Sequence, residues 1–178
     1  MLQKIQLLDQ LITLFMKEHR FSPKVNSWLR FYVRLGDGYI WAIIALLLIY
    51  LLGWRSFLTV LWQSLDSLAV SLALYWLVKL SVKRVRPFSF FDHIDAEVPP
   101  LDKYSFPSGH TMNNLAVACT VFFLVPQVGW VMLLLPVTWG LLRIYFGVHW
   151  ASDIVAGIFL GGISFLIGHF LWNLFIGL

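Results

Sequence analysis

Charge is scarce in this sequence. Of 178 residues, 13 are Lys or Arg and 9 are Asp or Glu, 12% together, against roughly 25% in an average soluble domain. Hydrophobic residues make up 60%, and the mean hydropathy is +0.79. Too little polar surface remains to coat a water-exposed globule. The composition therefore excludes an ordinary soluble domain and points to an integral membrane protein. Cysteine is nearly absent as well. The single Cys119 lies in an apolar run, so it can make no intrachain disulfide, and one thiol is no metal site. Packing is its expected role. The opening residues, MLQKIQLLDQL, lack the compact apolar core and small-residue cleavage site of a cleavable signal peptide. There is no internal repeat and no low-complexity tract, and the length fits a single domain, residues 1–178.

What the chain does have is long apolar runs. Residues 1–18 place Leu2, Ile5, Leu8, Leu11, Ile12 and Phe15 at helical spacing, but Lys4, Asp9, Lys17 and Glu18 interrupt them. This pattern predicts an amphipathic helix lying in the membrane interface. The stretch SPKVNSWLRFYVRLGDG begins with a serine cap and a first-turn proline, ends at Gly36 and Gly38, and predicts a second interfacial helix. Residues 1–38 are thus read as interfacial and 39–178 as the transmembrane core. Five apolar segments follow: Tyr39 to Trp54, Phe57 to Leu80, His110 to Val125, Val128 to Phe146, and Ser152 to the end. The expected fold is all-α, a polytopic membrane helix bundle of about five spans. One long polar loop, Ser81 to Phe106, interrupts them. Its Arg86-Pro87 and Pro99-Pro100 rule out a continuous helix.

Counting crossings from that loop brings six polar side chains to one face of the membrane: Lys79, Arg86, His110, Arg143, His149 and Asp153. Ionisable groups near membrane depth are costly, and each calls for an account. Lys79 or Arg143 alone could be a snorkelling helix end, but the whole set is more than snorkelling. His149 and Asp153 are four apart, which on a helix stacks them one turn apart. The carboxylate can then fix the imidazole tautomer and stabilise a cation on it. Gly147 permits a chain break that lets Arg143 reach round. Three cations aimed at one point suit an anion with several oxygens, such as phosphate. Pro107-Ser108-Gly109-His110 opens a helix there, where free backbone N–H groups and the Ser108 hydroxyl can meet phosphate oxygens. The residues alone leave open which histidine attacks and which gives a proton.

Taken together, Lys79-x6-Arg86-Pro87, Pro107-Ser108-Gly109-His110 and Arg143-x5-His149-x3-Asp153 resemble the three signature motifs of the type 2 phosphatidic acid phosphatase family, which includes the vanadium haloperoxidases. The resemblance covers roughly residues 79–153. One position departs from the family pattern: Leu142 stands where a serine usually precedes the arginine. Members often have six spans, against the five read here. The resemblance implies that His149 attacks phosphorus and becomes a phosphohistidine, that Asp153 orients it, and that His110 protonates the leaving oxygen. Lys79, Arg86, Arg143, Ser108 and the Gly109 amide would hold the phosphoryl oxygens. The pairing with Asp153 favours His149 as nucleophile. No metal or other cofactor is implied, because the cations and a helix terminus supply the charge.

The expected activity is hydrolysis of a lipid phosphate: phosphatidic acid, phosphatidylglycerol phosphate, a polyprenyl diphosphate or a lipid A phosphate. Transfer of the phosphoryl group to another lipid or sugar is the alternative. An anion transporter is the distant one, since it would want charge on both sides of the midplane. The partners expected are the lipid substrate and the bilayer, with no nucleic acid. Small size points to a bacterial inner membrane. The basic N-terminal segment alone would put the site's face in the cytoplasm, but the resemblance implies a site on the outer, periplasmic face, and that is the orientation expected. His93, His19 and His169 are given no role in the chemistry.

Overall fold

The computed structural model describes residues 2–176. These residues form helices and no strand. Helix α1 spans Leu2–Glu18 and α2 Pro23–Leu35. Pro23 sits at the first helical position, where its missing N–H costs nothing, and Gly36 closes the helix. Both helices expose large apolar side chains, among them Leu7, Leu8, Leu11 and Phe15 on α1 and Trp28 and Phe31 on α2. That is the pattern of helices seated on a lipid surface. Yet α1 is not only a surface helix. Asp9 and Thr13 are buried where it packs on the later helices.

Helix α3, Tyr39–Val82, runs for 44 residues and contains one non-helical residue, Gly53, at φ 73°. A straight helix of that length would measure about 66 Å, twice the hydrocarbon thickness of a bilayer. Instead the chain folds back at Gly53. Trp41 in the first half bonds Asn114, and Tyr75 in the second half packs on Gly109, so both outer ends lie beside the same end of the next long helix. Leu48 and Phe57, either side of the turn, meet Val121 and Met132 at the other end. The two apolar segments read from the sequence are therefore the arms of one hairpin.

After a single turn, α4 (Pro87–Phe90), the polar loop crosses the mouth of the bundle to α5, Gly109–Leu124. Helix α6, Pro126–Tyr145, follows after a one-residue break, and α7 is Ala151–Phe175. Among the described residues, three helices are long and apolar enough to cross a membrane: the one that starts at Tyr39, Pro126–Tyr145 and Ala151–Phe175. At 16 residues, α5 is shorter than the roughly 20 a span needs, but it is the most enclosed, packed against α3, α6 and α7. Its buried face carries Met112, Leu115, Ala116, Ala118 and Val121. The loop is pinned from outside: Glu97 takes Arg20 at 2.9 Å and Arg30 at 3.2 Å.

Candidate active site

Six polar side chains meet at the loop end of the bundle. Lys79 comes from the last turn of α3 and Arg86 from just before α4. His110 stands in the first turn of α5 and Arg143 in the last turn of α6. His149 lies in the connection to α7, and Asp153 in the first turn of α7. All six side chains are buried. The structure thus places together the residues that span counting brought to one face.

His149 and Asp153 meet by a route other than a shared helix. Helix α7 starts only at Ala151, so His149 precedes it. Gly147, at φ 70°, turns the chain out of α6 in a conformation that other residues rarely adopt. Asp153 then caps the start of α7, accepting the Trp150 amide at 2.8 Å. The same oxygen, Oδ2, faces His149 Nδ1 at 3.4 Å and takes the Ser105 hydroxyl. On the other side of the ring, Arg86 Nη1 lies 3.3 Å from Nε2. A guanidinium can only donate, so Nε2 carries the lone pair and Nδ1 the proton. Burial drives the His149 pKa down to about 4, against the opposing pull of Asp153. The ring is neutral at ordinary pH, as a nucleophile must be.

His110 is arranged differently. Its Nε2 faces the Asp37 carboxylate and the Arg143 guanidinium together. A proton there serves the carboxylate, and a lone pair serves the guanidinium. Such a nitrogen is suited to giving up and taking back a proton. Arg143 also donates to Asp37 at 3.1 Å and to the Pro99 carbonyl at 3.3 Å. Leu142, the departure from the expected motif, packs into the apolar cluster around Trp139 and Phe146 instead.

The cations already hold carboxylates. Asp102 Oδ1 takes Lys79 Nζ at 2.8 Å and Arg86 Nη2 at 2.9 Å, and its other oxygen takes the Tyr75 hydroxyl. Burial alone would raise the Asp102 pKa, but the hydrogen bonds from Lys79 and Tyr75 outweigh it, so it is lowered. Burial likewise opposes charge on Asp37, and the bond to His110 and the nearby Arg143 overrule it. Two anions of the protein thus sit where three cations converge. The Nε atoms of Arg86 and Arg143 are buried without partners. Gly109 lines the same space, and a Cβ there would lie 2.8 Å from the Tyr75 ring. The Ser108 hydroxyl is occupied at the cap of α5, accepting from Thr111.

A cavity of about 490 Å³ opens on these groups. Arg86, Asp102, Gly109, His110, Arg143 and His149 line its polar end. The remainder, including Leu48, Phe57, Leu61, Leu68, Val117 and Val121, runs down between the arms of α3 and α5. A charged head and an apolar tail are the two halves of a lipid phosphate.

The "PAP2 superfamily" profile matches residues 60–175, well over half of the chain. The protein belongs to the PAP2 superfamily. This is the family that the three motifs resemble. The chain is also similar to the undecaprenyl-diphosphatase of Sulfolobus acidocaldarius, 31% identical over 145 residues, or 80% of this chain and 68% of that one. In fold it matches a transmembrane PAP2-type phosphatidylglycerolphosphate phosphatase from Bacillus subtilis, with a TM-score of 0.70 at 21% identity, covering 97% of this chain and 88% of that one. Aquifex aeolicus LpxE matches with a TM-score of 0.73 at 22% identity, covering 88% and 92%. All three motifs lie inside the PAP2 region, whereas Asp9 and Asp37 lie outside it. Sequence reasoning missed these two, together with Arg84, Ser105 and Asp102. Arg84, Asp102 and Ser105 carried one signal, their place in the long polar loop, whereas Asp9 and Asp37 read only as polar residues in the interfacial segments.

Proposed function

We propose that this PAP2 protein is a membrane-integral lipid phosphate phosphatase that works through a phosphohistidine on His149, with no metal. The observation that carries this is the His149 ring. Its Nδ1 faces Asp153 at 3.4 Å, and its Nε2 lone pair faces Arg86 beside the cavity. The phosphoryl group enters among Arg86, Arg143 and the Gly109 amide, with Lys79 behind Asp102 and Ser108 at the cap of α5. Nε2 attacks phosphorus in line, the bond to the lipid oxygen breaks, and His110 gives that oxygen its proton. Water then attacks the phosphohistidine and yields its proton to His110. Phosphate leaves and His149 is restored. The cations offset the charge that Mg²⁺ offsets in other phosphoryl-transfer sites.

The substrate class is a phosphomonoester or diphosphate whose apolar part can follow the cavity between the α3 arms and α5. The similarity to an undecaprenyl-diphosphatase favours a polyprenyl diphosphate over phosphatidic acid, phosphatidylglycerol phosphate or lipid A 1-phosphate. Purified protein given this panel with EDTA present is expected to release inorganic phosphate. A requirement for added metal would overturn the metal-free mechanism, and a phosphorylated acceptor in place of free phosphate would make the protein a transferase.

In this reading the α3 hairpin, α5, α6 and α7 make five passes, and the site faces the outer, periplasmic side of a bacterial inner membrane. Ser89 is exposed on α4. A cysteine placed there, on a Cys119→Ala background, is expected to react with an impermeant reagent in intact cells. Labelling only after lysis would reverse the orientation.

A further inference from the structure

A chain of charges, buried at its two carboxylates and partly exposed at Arg84, joins the N-terminal helix to the nucleophile. Asp9 on α1 is 2% exposed. Its Oδ1 accepts the Ser152 amide at 2.8 Å, and its Oδ2 accepts the Ser152 hydroxyl and Arg84 Nη2, each at 2.6 Å. The other terminal nitrogen of Arg84, Nη1, donates to Asp153 Oδ1 at 2.7 Å and to the Ser152 hydroxyl oxygen at 2.7 Å. Asp153 in turn orients His149. The order is carboxylate, guanidinium, carboxylate, imidazole. Neither Asp9 nor Arg84 lines the cavity, so neither is placed to touch substrate.

Alternation gives the chain a function. A buried carboxylate is tolerated when it is paired, and Arg84 pairs two of them. Arg84 alone, however, would work against the reaction. Its charge would draw on Asp153 and oppose the positive charge that grows on His149 during attack. Asp9 offsets that charge from the far side. We propose that Asp9 is a positioning residue for the phosphoryl transfer. It neutralises Arg84 so that Asp153 keeps its full pull on the imidazole, and α1 is thereby part of the reaction machinery as well as a surface helix. This rests on His149 being the nucleophile.

The test is a charge cycle in the full-length protein, with the polyprenyl diphosphate or whichever panel lipid turns over fastest. Asp9→Asn keeps the shape and removes the charge. It should lower kcat roughly tenfold, the scale of coupling within one charge network, with KM within about twofold because the phosphate clamp is untouched. Asp9→Asn with Arg84→Gln removes both charges and should be several-fold more active than Asp9→Asn alone. A structural role for Asp9 makes the double variant at least as impaired as the single one, and that result overturns the proposal. So does an unchanged kcat in Asp9→Asn, a KM that rises as kcat falls, or an Asp9→Asn protein that fails to fold. His149→Ala, measured alongside, separates the two claims. If it retains activity the nucleophile assignment fails. If it is dead while Asp9→Asn is normal, only the role of Asp9 fails.

Discussion

His149→Ala is expected to lose turnover by several powers of ten while the protein still purifies as a folded membrane protein. Removing a nucleophile removes the covalent route, and the remaining clamp can only hold the substrate. The side chain lies in the connection between α6 and α7 and lines the cavity, so truncation should spare the fold. Asp153→Asn should also cost a large factor, though a smaller one. The amide still fills the space, but it no longer carries the charge that stabilises the imidazolium. It also loses an anion that Arg84 and the Ser105 hydroxyl are built around. Steady-state phosphate release, compared at equal folded protein, checks both. Near-normal activity in His149→Ala would remove the phosphohistidine from the account.

The second large effect concerns vanadate, which readily takes the five-coordinate geometry that phosphorus passes through in an in-line attack. A site shaped for that geometry binds vanadate more tightly than phosphate. Its metal atom should bond His149 Nε2, its equatorial oxygens should face Arg86, Arg143 and the Gly109 amide, with Lys79 behind Asp102, and His110 should lie by the apical oxygen. Inhibition should therefore be competitive against the lipid. Arg143→Ala should weaken it by about 2–4 kcal/mol, the cost of truncating one partner of a buried, charge-assisted contact. Inhibition constants for wild type and variant in the same detergent measure this. Equal constants would place Arg143 outside the clamp and leave it only the task of holding Asp37 and His110.

How far the sequence could be read depended on distance along the chain. Arg143, His149 and Asp153 lie within eleven residues, and their meeting follows from local chemistry: a glycine that turns the chain and a carboxylate that caps the next helix. Even there one detail changed. A spacing of four reads as a helical pair, but the helix begins after His149 because Asp153 spends an oxygen on the Trp150 amide. A break was legible as the gap at Arg55-Ser56 between two apolar runs, but the chain turns at Gly53, inside the first of them, because glycine takes the positive φ. The carboxylates were not legible. Asp37 reaches Arg143 across 106 positions and Asp9 reaches Ser152 across 143. Such partners depend on which helices pack together, and apolar periodicity does not specify that. Asp9 in particular read as a polar interruption of a surface helix. Its burial comes from the packing of α1 on the later helices, and its partner there is Arg84, a residue just ahead of the Arg86 that drew attention as a phosphate ligand.

The central step of the reaction is the covalent bond from His149 to phosphorus. It is tested most directly by quenching the enzyme within its first turnover of a phosphorus-labelled lipid phosphate and mapping the label by peptide mass spectrometry under conditions that preserve phosphohistidine. The account predicts the label on the peptide that carries His149, absent in His149→Ala and turned over as phosphate appears. Label on His110, or free phosphate released in the first turnover with no labelled protein at any time, would contradict it.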